Sequence, residues 1–491
     1  MLPQCGIRSS LGRAARNPVF RQQIKKFHYA KRFPATQLRY LTATGLAATS
    51  GLYWWWSSSA NRDGVPLPDE EPAQNLVVQP PFSHEEVTRT LSKDSYSFSV
   101  RDVPGIDRHD GAQLASNSPC EDRLTYAKFP SPWHSDKEPW MAWAVFDGHA
   151  GWQTAELLKN QLVPSVRHSL SQVTPITDGN QSVAGVDTVP CAISNAFVNL
   201  DDAIFKTAME ASQSNEPLHQ RVRDLLPAFA GSCALLSIFD PDTRALHVAC
   251  TGDSRAVLGR QQPDGRWETI PLSIDQTGSN EEEIARIYSE HPGEEDIVQG
   301  GRVLGLMASR AFGDCRWKWP VEFQQEIRQR FYGPAPLTPR YDIRTPPYVT
   351  AQPVVTTVNI DPTQPSFLIM ATDGLWDMLS SQQAVDLVGK WLSGGVETGK
   401  GSATSPAASD KPFDFGHFWE GVNWKFVEGR TTVQDDNVAV HLVRNCLGGS
   451  DLELLEGRLA FDPPFSRTLR DDITVQVVFF GVPNLKNKDE N

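Results

Sequence analysis

An uncharged apolar run at residues 141–146 ends abruptly in an aspartate, a glycine and a histidine. A short apolar run bounded by a turn signal is typical of a strand covered on both faces, and the next segment, GWQTAELLKNQL, predicts a helix. Asp147 and His149 would then lie where side chains leave the core, and Gly148 would let the backbone approach a ligand closely. Alone, such a junction is most often an ordinary turn with a capping aspartate.

Four further aspartates border predicted strands: Asp253 in a GDS turn, Asp373 and Asp377 in ATDGLWD, and Asp471 in RDDITV. If these strands share one sheet system, the carboxylates converge, and several carboxylates cannot be buried together without cations. Oxygen ligands without a cysteine cluster favour hard ions such as Mg²⁺ or Mn²⁺. Two such ions about 4 Å apart make a water acidic enough to attack phosphorus, and His149 could protonate a leaving alkoxide.

The remaining pattern predicts mixed secondary structure. Short runs at 231–239, 245–251, 255–260 and 267–273, separated by tight turns, indicate antiparallel meanders. Early and late strands are predicted at 97–100, 366–373 and 470–480, and helices at 152–166, 192–211, 279–289, 380–392, 433–446 and 451–459. Asn280 with Glu283 resembles a capping box at the start of one helix.

Charge divides the chain into two parts. Residues 1–40 carry nine Lys or Arg and no acid, which predicts a mitochondrial targeting presequence, with a basic disordered tail as the alternative. The net charge of −13 for the whole chain therefore leaves −22 for the remainder, which argues against nucleic acid as a partner and suits cations or a basic protein surface. Seven scattered cysteines without a CxxC motif indicate neither a disulfide framework nor a zinc site.

Residues 41–56 form an uncharged run closed by three tryptophans. The run is shorter than the roughly 20 residues of a spanning helix, yet it is compatible with an inner-membrane anchor or sorting segment. Residues 57–82 read as a linker and 83–482 as the folded body. Insertions are expected near 171–189, 315–348 and 394–411, and the second of them is predicted to be irregular and packed on the outside. Residues 483–491 are predicted to be a tail.

Five motifs in order, DGHAG, GDSRAVLG, ASRAFGD, ATDGLWD and RDDITV, resemble those of the metal-dependent type 2C Ser/Thr protein phosphatases, the PPM family. Each motif is weak alone, but the ordered set is specific and covers about residues 83–482. The resemblance implies an α+β fold, an α/β/β/α four-layer sandwich of two packed antiparallel sheets flanked by helices. It also implies hydrolysis of phosphoserine or phosphothreonine with two Mg²⁺ or Mn²⁺ ions, and a weaker third ion as a further option.

The resemblance gives the central positions distinct roles. Asp147 would bridge the two ions, and Gly148 would bind one of them through its carbonyl. Asp373 and Asp471 would complete the shell of the second ion. His149 matches the proposed general acid of the family.

The outer positions follow from the same resemblance. Glu121 and Asp122, adjacent in NSPCEDR, would contact metal-bound water. Asp253 and Asp377 match positions linked to the weaker third ion. An adjacent Glu–Asp pair is common on protein surfaces, so this pair gains meaning only from the family pattern.

One departure from the family concerns the substrate phosphate. Four residues before the Glu–Asp pair the family usually has an arginine that holds the phosphate, and here that position is Asn117. The pattern N-x-P-x-E-D-R, the HLVRN sequence at 441–445 and the presequence resemble the pyruvate dehydrogenase phosphatase branch. That branch implies a phosphoserine on the E1 subunit of the pyruvate dehydrogenase complex as the substrate. Arg123 reads as a surface residue by default.

Two alternative functions stay open. The first is a mitochondrial phosphatase for other phosphoproteins, which a location in the intermembrane space rather than the matrix would favour. The second is a pseudophosphatase that only binds partners, against which the intact ligand set and His149 argue.

One motif is ambiguous, because Asp435 and Asp436 also resemble the family's last aspartate. Asp471 is preferred because a β run and the end of the chain follow it, whereas Asp435 and Asp436 read as acids at a helix N-terminus. Arg310 and Asp314 in ASRAFGD are expected to be structural supports.

Overall fold

The computed structural model describes residues 83–133, 137–173, 188–394 and 425–482. The predicted presequence, the 41–56 segment, the linker and the tail lie outside these residues, as do most of the insertions near 171–189 and 394–411. Within the described ranges, no helix combines the length and the apolar character needed to cross a bilayer.

The first large sheet has six strands, and every neighbouring pair in it is antiparallel. Its order across the sheet is β1 (Asp94–Ser99), β2 (Arg108–Leu114), β16 (Ile473–Phe480), β15 (Ser366–Ala371), β9 (Arg255–Gln261) and β10 (Trp267–Pro271). The last described strand, β16, therefore lies in the middle of the sheet, next to β2 from the start of the folded body.

The second large sheet has five antiparallel strands. Its order is β14 (Val354–Asn359), β8 (Ala245–Thr251), β7 (Ala234–Asp240), β4 (Trp140–Phe146) and β3 (Arg123–Phe129). Every residue of β4 is buried, as the uncharged run predicts. The hairpins β7–β8 and β9–β10 are antiparallel as expected, but they belong to different sheets, so residues 252–254 cross between the sheets.

The two sheets pack face to face through apolar side chains. Trp143 and Leu235 from the second sheet share one buried cluster with Leu368, Met370 and Val478 from the first. Alternate residues of β15 and β16 point the other way, into a second cluster formed with helices. The sandwich core therefore follows from the period-two alternation of side chains along each strand.

Helices cover the outer face of each sheet. α1 (His84–Ser92), α9 (Ser381–Leu392), α10 (Val438–Leu447) and α11 (Leu452–Leu459) share the cluster on the first sheet. α2 (Gln153–Ser171) and α3 (Thr188–Gln213) cover the second sheet, and α4 (Leu218–Phe229) packs on these two helices. The four-layer α/β/β/α sandwich that the resemblance implied is confirmed.

The remaining described strands and α-helices lie outside the two large sheets and the helices that cover them. They are β5 (Gly148–His149), β6 (Gly231–Ser232), α5 (Glu281–Glu290), β11 (Val298–Gln299), β12 (Arg302–Val303), β13 (Phe312–Gly313), α6 (Cys315–Lys318), α7 (Val321–Phe331) and α8 (Asp373–Trp376). Strands β13, β6 and β5 pair in that order into a short antiparallel sheet beside the two large ones.

The prediction of an irregular outer insertion at 315–348 is wrong for its first half, which forms α6 and α7. Trp317 and Tyr348 belong to a buried cluster with Ile287 and Val303, and Trp319 is also buried. The aromatic side chains of this segment show no helical period in the sequence. In the structure Trp317 and Tyr348 are buried and contribute to a small separate core.

The predicted capping box of α5 is wrong in its second half. Asn280 caps the helix by accepting from the N–H of Glu282 at 3.0 Å. Glu283 instead accepts from Arg310 at 2.5 and 3.0 Å. This ion pair confirms Arg310 as a structural support, and it takes the glutamate away from the helix start.

Candidate metal centre

Three aspartates that lie far apart in the sequence meet at one end of the sandwich. Asp147 follows β4, Asp253 lies in the link from β8 to β9, and Asp373 begins α8 after β15. Carboxylate oxygens of these three residues lie within 4.8 Å of one another. The sequence predicted this convergence, and the structure contains it.

Burial and mutual repulsion disfavour the charged forms of these carboxylates. Burial, with repulsion from Asp373 and Asp122, raises the pKa of Asp147 well above its usual range. Burial, with repulsion from Asp253, raises the pKa of Asp373 to about 7. Hard divalent cations would relieve this repulsion, and a donor set made only of oxygens is the set that Mg²⁺ or Mn²⁺ binds. The residues present therefore fit a metal site.

Asp471 and Asp377 border the three-aspartate cluster. Asp471 lies two residues before β16, and its charge adds to the repulsion on Asp147 and Asp373. Burial and the charge of Asp471 raise the pKa of Asp377, whose backbone N–H donates to the carbonyl of Asp373 at 2.8 Å. Both residues therefore border the cluster, and their roles as metal ligands stay predictions.

The alternative motif at Asp435 has a different role. Asp435 accepts two hydrogen bonds from the buried guanidinium of Arg444, at 2.7 and 2.8 Å. Asn437 provides the cap of α10. Asp435 is thus a buried ion-pair partner of α10, which corrects the expectation of a helix N-terminal acid.

Asp122 is buried behind the cluster. Its Oδ2 accepts hydrogen bonds from the hydroxyls of Thr372 and Thr474, at 2.9 and 2.8 Å. Arg123 braces the same corner through Glu156, with Nε 2.5 Å from the carboxylate, and through two neighbouring carbonyls. Arg123 therefore belongs to the framework beneath the site, and the expectation of a default surface residue is wrong.

Asp472 organises the loop that carries Asn117 and Glu121. Its carboxylate accepts from the backbone N–H groups of Ser116, Asn117 and Glu121, at 2.5, 2.9 and 2.8 Å. The side chain of Asn117 adds a fourth bond at 3.1 Å. These bonds outweigh the effect of burial and lower the pKa of Asp472. Sequence reasoning gave this residue no role, since its partners lie more than 350 positions away.

Replacing Asp472 by Ala is expected to destabilise the protein by about 3 kcal/mol, because several N–H donors lose one charged acceptor. Urea unfolding with circular dichroism measures this change. Asp472→Asn, which keeps one acceptor oxygen, is the matched variant and should lose about half as much. An unchanged unfolding midpoint for Asp472→Ala would contradict this role.

Gly148 is required by close packing against the loop before β3. A Cβ at this position would lie 2.2 Å from the carbonyl oxygen of Glu121. Gly148 also pairs with Ser232 across the β5–β6 ladder. The backbone of Glu121 therefore accounts for the glycine, and the carbonyl of Gly148 as a metal ligand stays a prediction.

His149 is held by a carboxylate from a distant segment. Its Nε2 lies 2.8 Å from Oδ2 of Asp314, a buried residue with a φ of +56°. Gly231 leaves room for this pair, because a Cβ there would lie 2.2 Å from His149 Nε2. Although burial opposes it, the charge of Asp314 raises the pKa of His149 to about 9. Asp314, expected to be a structural support, is thus a direct partner of His149.

Stabilisation of the protein by Mg²⁺ is expected to grow as pH rises from 5 to 8. The carboxyl of Asp373 has an ordinary pKa of 3.8 and a native pKa of about 7, so the metal-free native state binds more protons than the unfolded state between these values. Its stability contribution is present below the lower pKa and is lost as pH rises through the higher one, by at most about 1.4 kcal/mol per pH unit for one group. Bound cations replace those protons.

Thermal unfolding with EDTA or with saturating Mg²⁺, at several pH values, measures this effect. The gap between the two unfolding temperatures should widen with pH. A gap that is constant, or that narrows as pH rises, would contradict the clustering of these carboxylates.

Known proteins align with most of this chain. Residues 110–406 match the family model described as Protein phosphatase 2C. A protein phosphatase 2C homolog of Schizosaccharomyces pombe is 40% identical over 408 residues, which is 83% of this chain and 87% of that protein. A mitochondrial pyruvate dehydrogenase phosphatase 1 of Saccharomyces cerevisiae is 34% identical, over 86% of this chain and 77% of that protein. The Homo sapiens protein of the same name is 31% identical, over 87% of each chain.

A family model that matches more than half of the chain, and relatives that align over most of it, agree with the five motifs and with the sandwich fold. The family depends on Mg²⁺ or Mn²⁺, which the acidic cluster suits. This chain belongs to the protein phosphatase 2C family and is a protein serine/threonine phosphatase.

Proposed function

We propose that this chain is a mitochondrial phosphatase that removes phosphate from a phosphoserine of the pyruvate dehydrogenase complex, using two Mg²⁺ or Mn²⁺ ions. The observation that carries the substrate assignment is the alignment of proteins named as mitochondrial pyruvate dehydrogenase phosphatases with 86–87% of this chain. The basic, acid-free segment at residues 1–40 supports the same compartment. Inner-membrane anchoring through 41–56 stays a prediction, because that segment lies outside the described residues.

The acidic site would hold the ions, which supply an acidic water and polarise the phosphoryl group when bound. Asp147 is central to the cluster and is the residue suited to bridging two ions. Asp373 and Asp471 would complete one shell, and the carbonyl of Gly148 would serve the other.

The surrounding acids have supporting roles. Glu121 and Asp122 would orient water at the ions, with Asp122 held in place by its two threonine partners. Asp253 and Asp377 would hold a weaker third ion.

His149 would provide the proton for the leaving group. When the bond between phosphorus and the seryl oxygen breaks, that oxygen leaves as a strongly basic alkoxide that needs a proton. Nε2 of His149 is hydrogen-bonded to the carboxylate of Asp314, so the transferred proton would come from Nδ1. The carboxylate of Asp314 stabilises the protonated ring before transfer and fixes its orientation.

A second candidate is a mitochondrial phosphatase for other phosphoproteins. It is favoured by the relative from Schizosaccharomyces pombe, which is 40% identical and named only as a protein phosphatase 2C homolog. A pseudophosphatase is disfavoured because three aspartates converge in one cluster and His149 is paired with Asp314.

A dephosphorylation assay decides between these functions. The full-length protein is given phosphorylated pyruvate dehydrogenase complex or a generic phosphoserine peptide, with Mn²⁺ or with EDTA. Metal-dependent turnover that strongly favours the complex supports the proposal. Equal turnover of both substrates points to other phosphoproteins, and absent turnover of both by the folded protein points to a pseudophosphatase.

A further inference from the structure

The acidic site needs a positively charged side chain to bind the phosphate of the substrate. A phosphoserine carries up to two negative charges and must approach a group of carboxylates. At the usual position of the family's arginine, Asn117 is uncharged and turned inward, with its Nδ2 3.1 Å from Asp472 and 3.5 Å from Glu121. Asn117 therefore organises the loop and brings no cation to the phosphate.

A second segment packs on this loop from the C-terminal end of the chain. The 3-10 helix Phe465–Thr468 lies just before Asp471. Within and after it, Ser466 donates to the carbonyl of Ser116 at 2.5 Å, and Arg470 donates to the carbonyl of Ala115 at 3.0 Å. The hydroxyl of Ser116 returns a bond to the carbonyl of Arg470 at 2.9 Å. Residues 465–470 are thus fixed directly against the loop that carries Asn117.

Arg467 lies on this segment and faces the acidic site. Its Nη1 is paired with Oδ1 of Asp471, and 47% of its side chain is exposed to solvent. Its charge also acts on Asp373, Asp472 and Glu121. Arg467 is therefore a solvent-accessible cation at the acidic site.

Two other arginines near the site are engaged by structural partners. Arg123 is bound to Glu156 and to two backbone carbonyls. Arg255 makes two bonds to Asp275, at 2.5 and 2.8 Å. Releasing either guanidinium would leave a partly buried carboxylate without its partner, which is costly.

The partner of Arg467 differs from these, because Asp471 is itself a proposed metal ligand. A cation bound to Asp471 takes up part of the carboxylate charge, which weakens the pair with Arg467. A guanidinium has five N–H donors in a planar fork that matches a phosphate. The donors of Arg467 can then turn to the substrate.

We propose that Arg467 binds the substrate phosphate in this chain, replacing from the C-terminal segment the arginine that the family usually has at position 117. The proposal rests on the proposed function and deepens it by naming the residue that recognises the phosphate. Arg467 is a binding residue and transfers no proton.

Inorganic phosphate, the reaction product, is the probe for the test. Calorimetric titration of phosphate into the Mg²⁺-loaded full-length protein gives a dissociation constant that does not depend on turnover. Arg467→Gln is expected to raise this constant, and the KM for a phosphoserine peptide, on the order of tenfold to a hundredfold. Arg467→Lys keeps the charge but loses the planar fork of donors, so its dissociation constant for phosphate should lie between those of the wild type and Arg467→Gln.

Arg330→Gln is the matched control. Arg330 is also paired with an acid four residues away, Glu326, and its side chain is 41% exposed, but it lies on α7 away from the acidic cluster. This variant should bind phosphate as the wild type does. A double variant tests the replacement directly. Asn117→Arg combined with Arg467→Gln should bind phosphate at least about tenfold more tightly than Arg467→Gln alone.

The Mg²⁺ dependence of Arg467→Gln distinguishes two roles of Arg467: binding the substrate phosphate, or only holding Asp471 in place. Removing a positive charge beside Asp471 should leave the half-saturating Mg²⁺ concentration equal or lower. Unchanged phosphate affinity in Arg467→Gln, or weaker Mg²⁺ binding as its main defect, would overturn the proposal. Both results compare phosphate and Mg²⁺ binding of Arg467→Gln with binding by the wild type. Failure of the proposed function would instead appear as a wild type that does not act on the pyruvate dehydrogenase complex.

Discussion

Asp147→Asn is expected to reduce turnover of a phosphoserine substrate by at least about 10³-fold, which corresponds to about 4 kcal/mol of lost transition-state stabilisation. Asp147 is repelled by Asp373, Asp122 and Asp253, so a cation bound to it would relieve this repulsion. An amide keeps the size of the side chain but loses the charge that attracts and bridges cations. The variant should also lose most of the stabilisation by Mg²⁺ seen in thermal unfolding.

The chain offers a matched control at the end of a neighbouring strand. Asp240 is a buried aspartate that ends β7, and its carboxylate accepts hydrogen bonds within the following turn. Asp240→Asn should keep turnover within about threefold of the wild type, because an amide retains an acceptor oxygen for the turn and Asp240 lies beside the start of β4, at the opposite end of that strand from Asp147. Full turnover by Asp147→Asn, with Mg²⁺ binding intact, would show that the metal site lies elsewhere.

The site residues that the sequence predicted are marked by local sequence signals at strand ends or turns. Asp147 and Asp373 each end an apolar strand within a short motif, so local pattern and turn chemistry mark them directly. The strands themselves are short apolar runs for which burial on both faces is the main constraint. Asp253 lies in a turn that is visible in the sequence, although the crossing between two sheets at that turn is not.

The parts that the sequence missed depend on contacts between distant segments. The pair of His149 with Asp314 spans 165 positions, and nothing local to either residue marks it. Asp472 reads as the second half of an acid pair until β16 places it beside the loop of Asn117. α7 was missed because its buried side chains are only Gln324, Ile327 and Phe331, so few apolar positions mark a helical face in the segment.

His149→Gln is expected to lower turnover of a phosphoserine peptide by about 10²- to 10⁴-fold, the usual contribution of a positioned acid. The same change should cost less than about tenfold with p-nitrophenyl phosphate, because p-nitrophenolate is a stable anion that leaves without a proton. The ratio of the two losses, measured with purified full-length protein and saturating Mn²⁺, isolates proton donation from any effect on metal binding. Asp314→Asn should shift the ratio in the same direction by less, since an amide can still orient the ring but cannot stabilise its charged form.

A histidine outside the site provides the control for this ratio. His247 is buried in β8 with Nδ1 2.9 Å from the hydroxyl of Thr357, so His247→Gln perturbs packing without reaching the acidic cluster. Its effect on the two substrates should be equal, because a loss of stability lowers the amount of active enzyme and not the need for a proton. Equal losses for His149→Gln on both substrates would assign His149 to the support of the metal site, and a different group would then have to protonate the seryl oxygen.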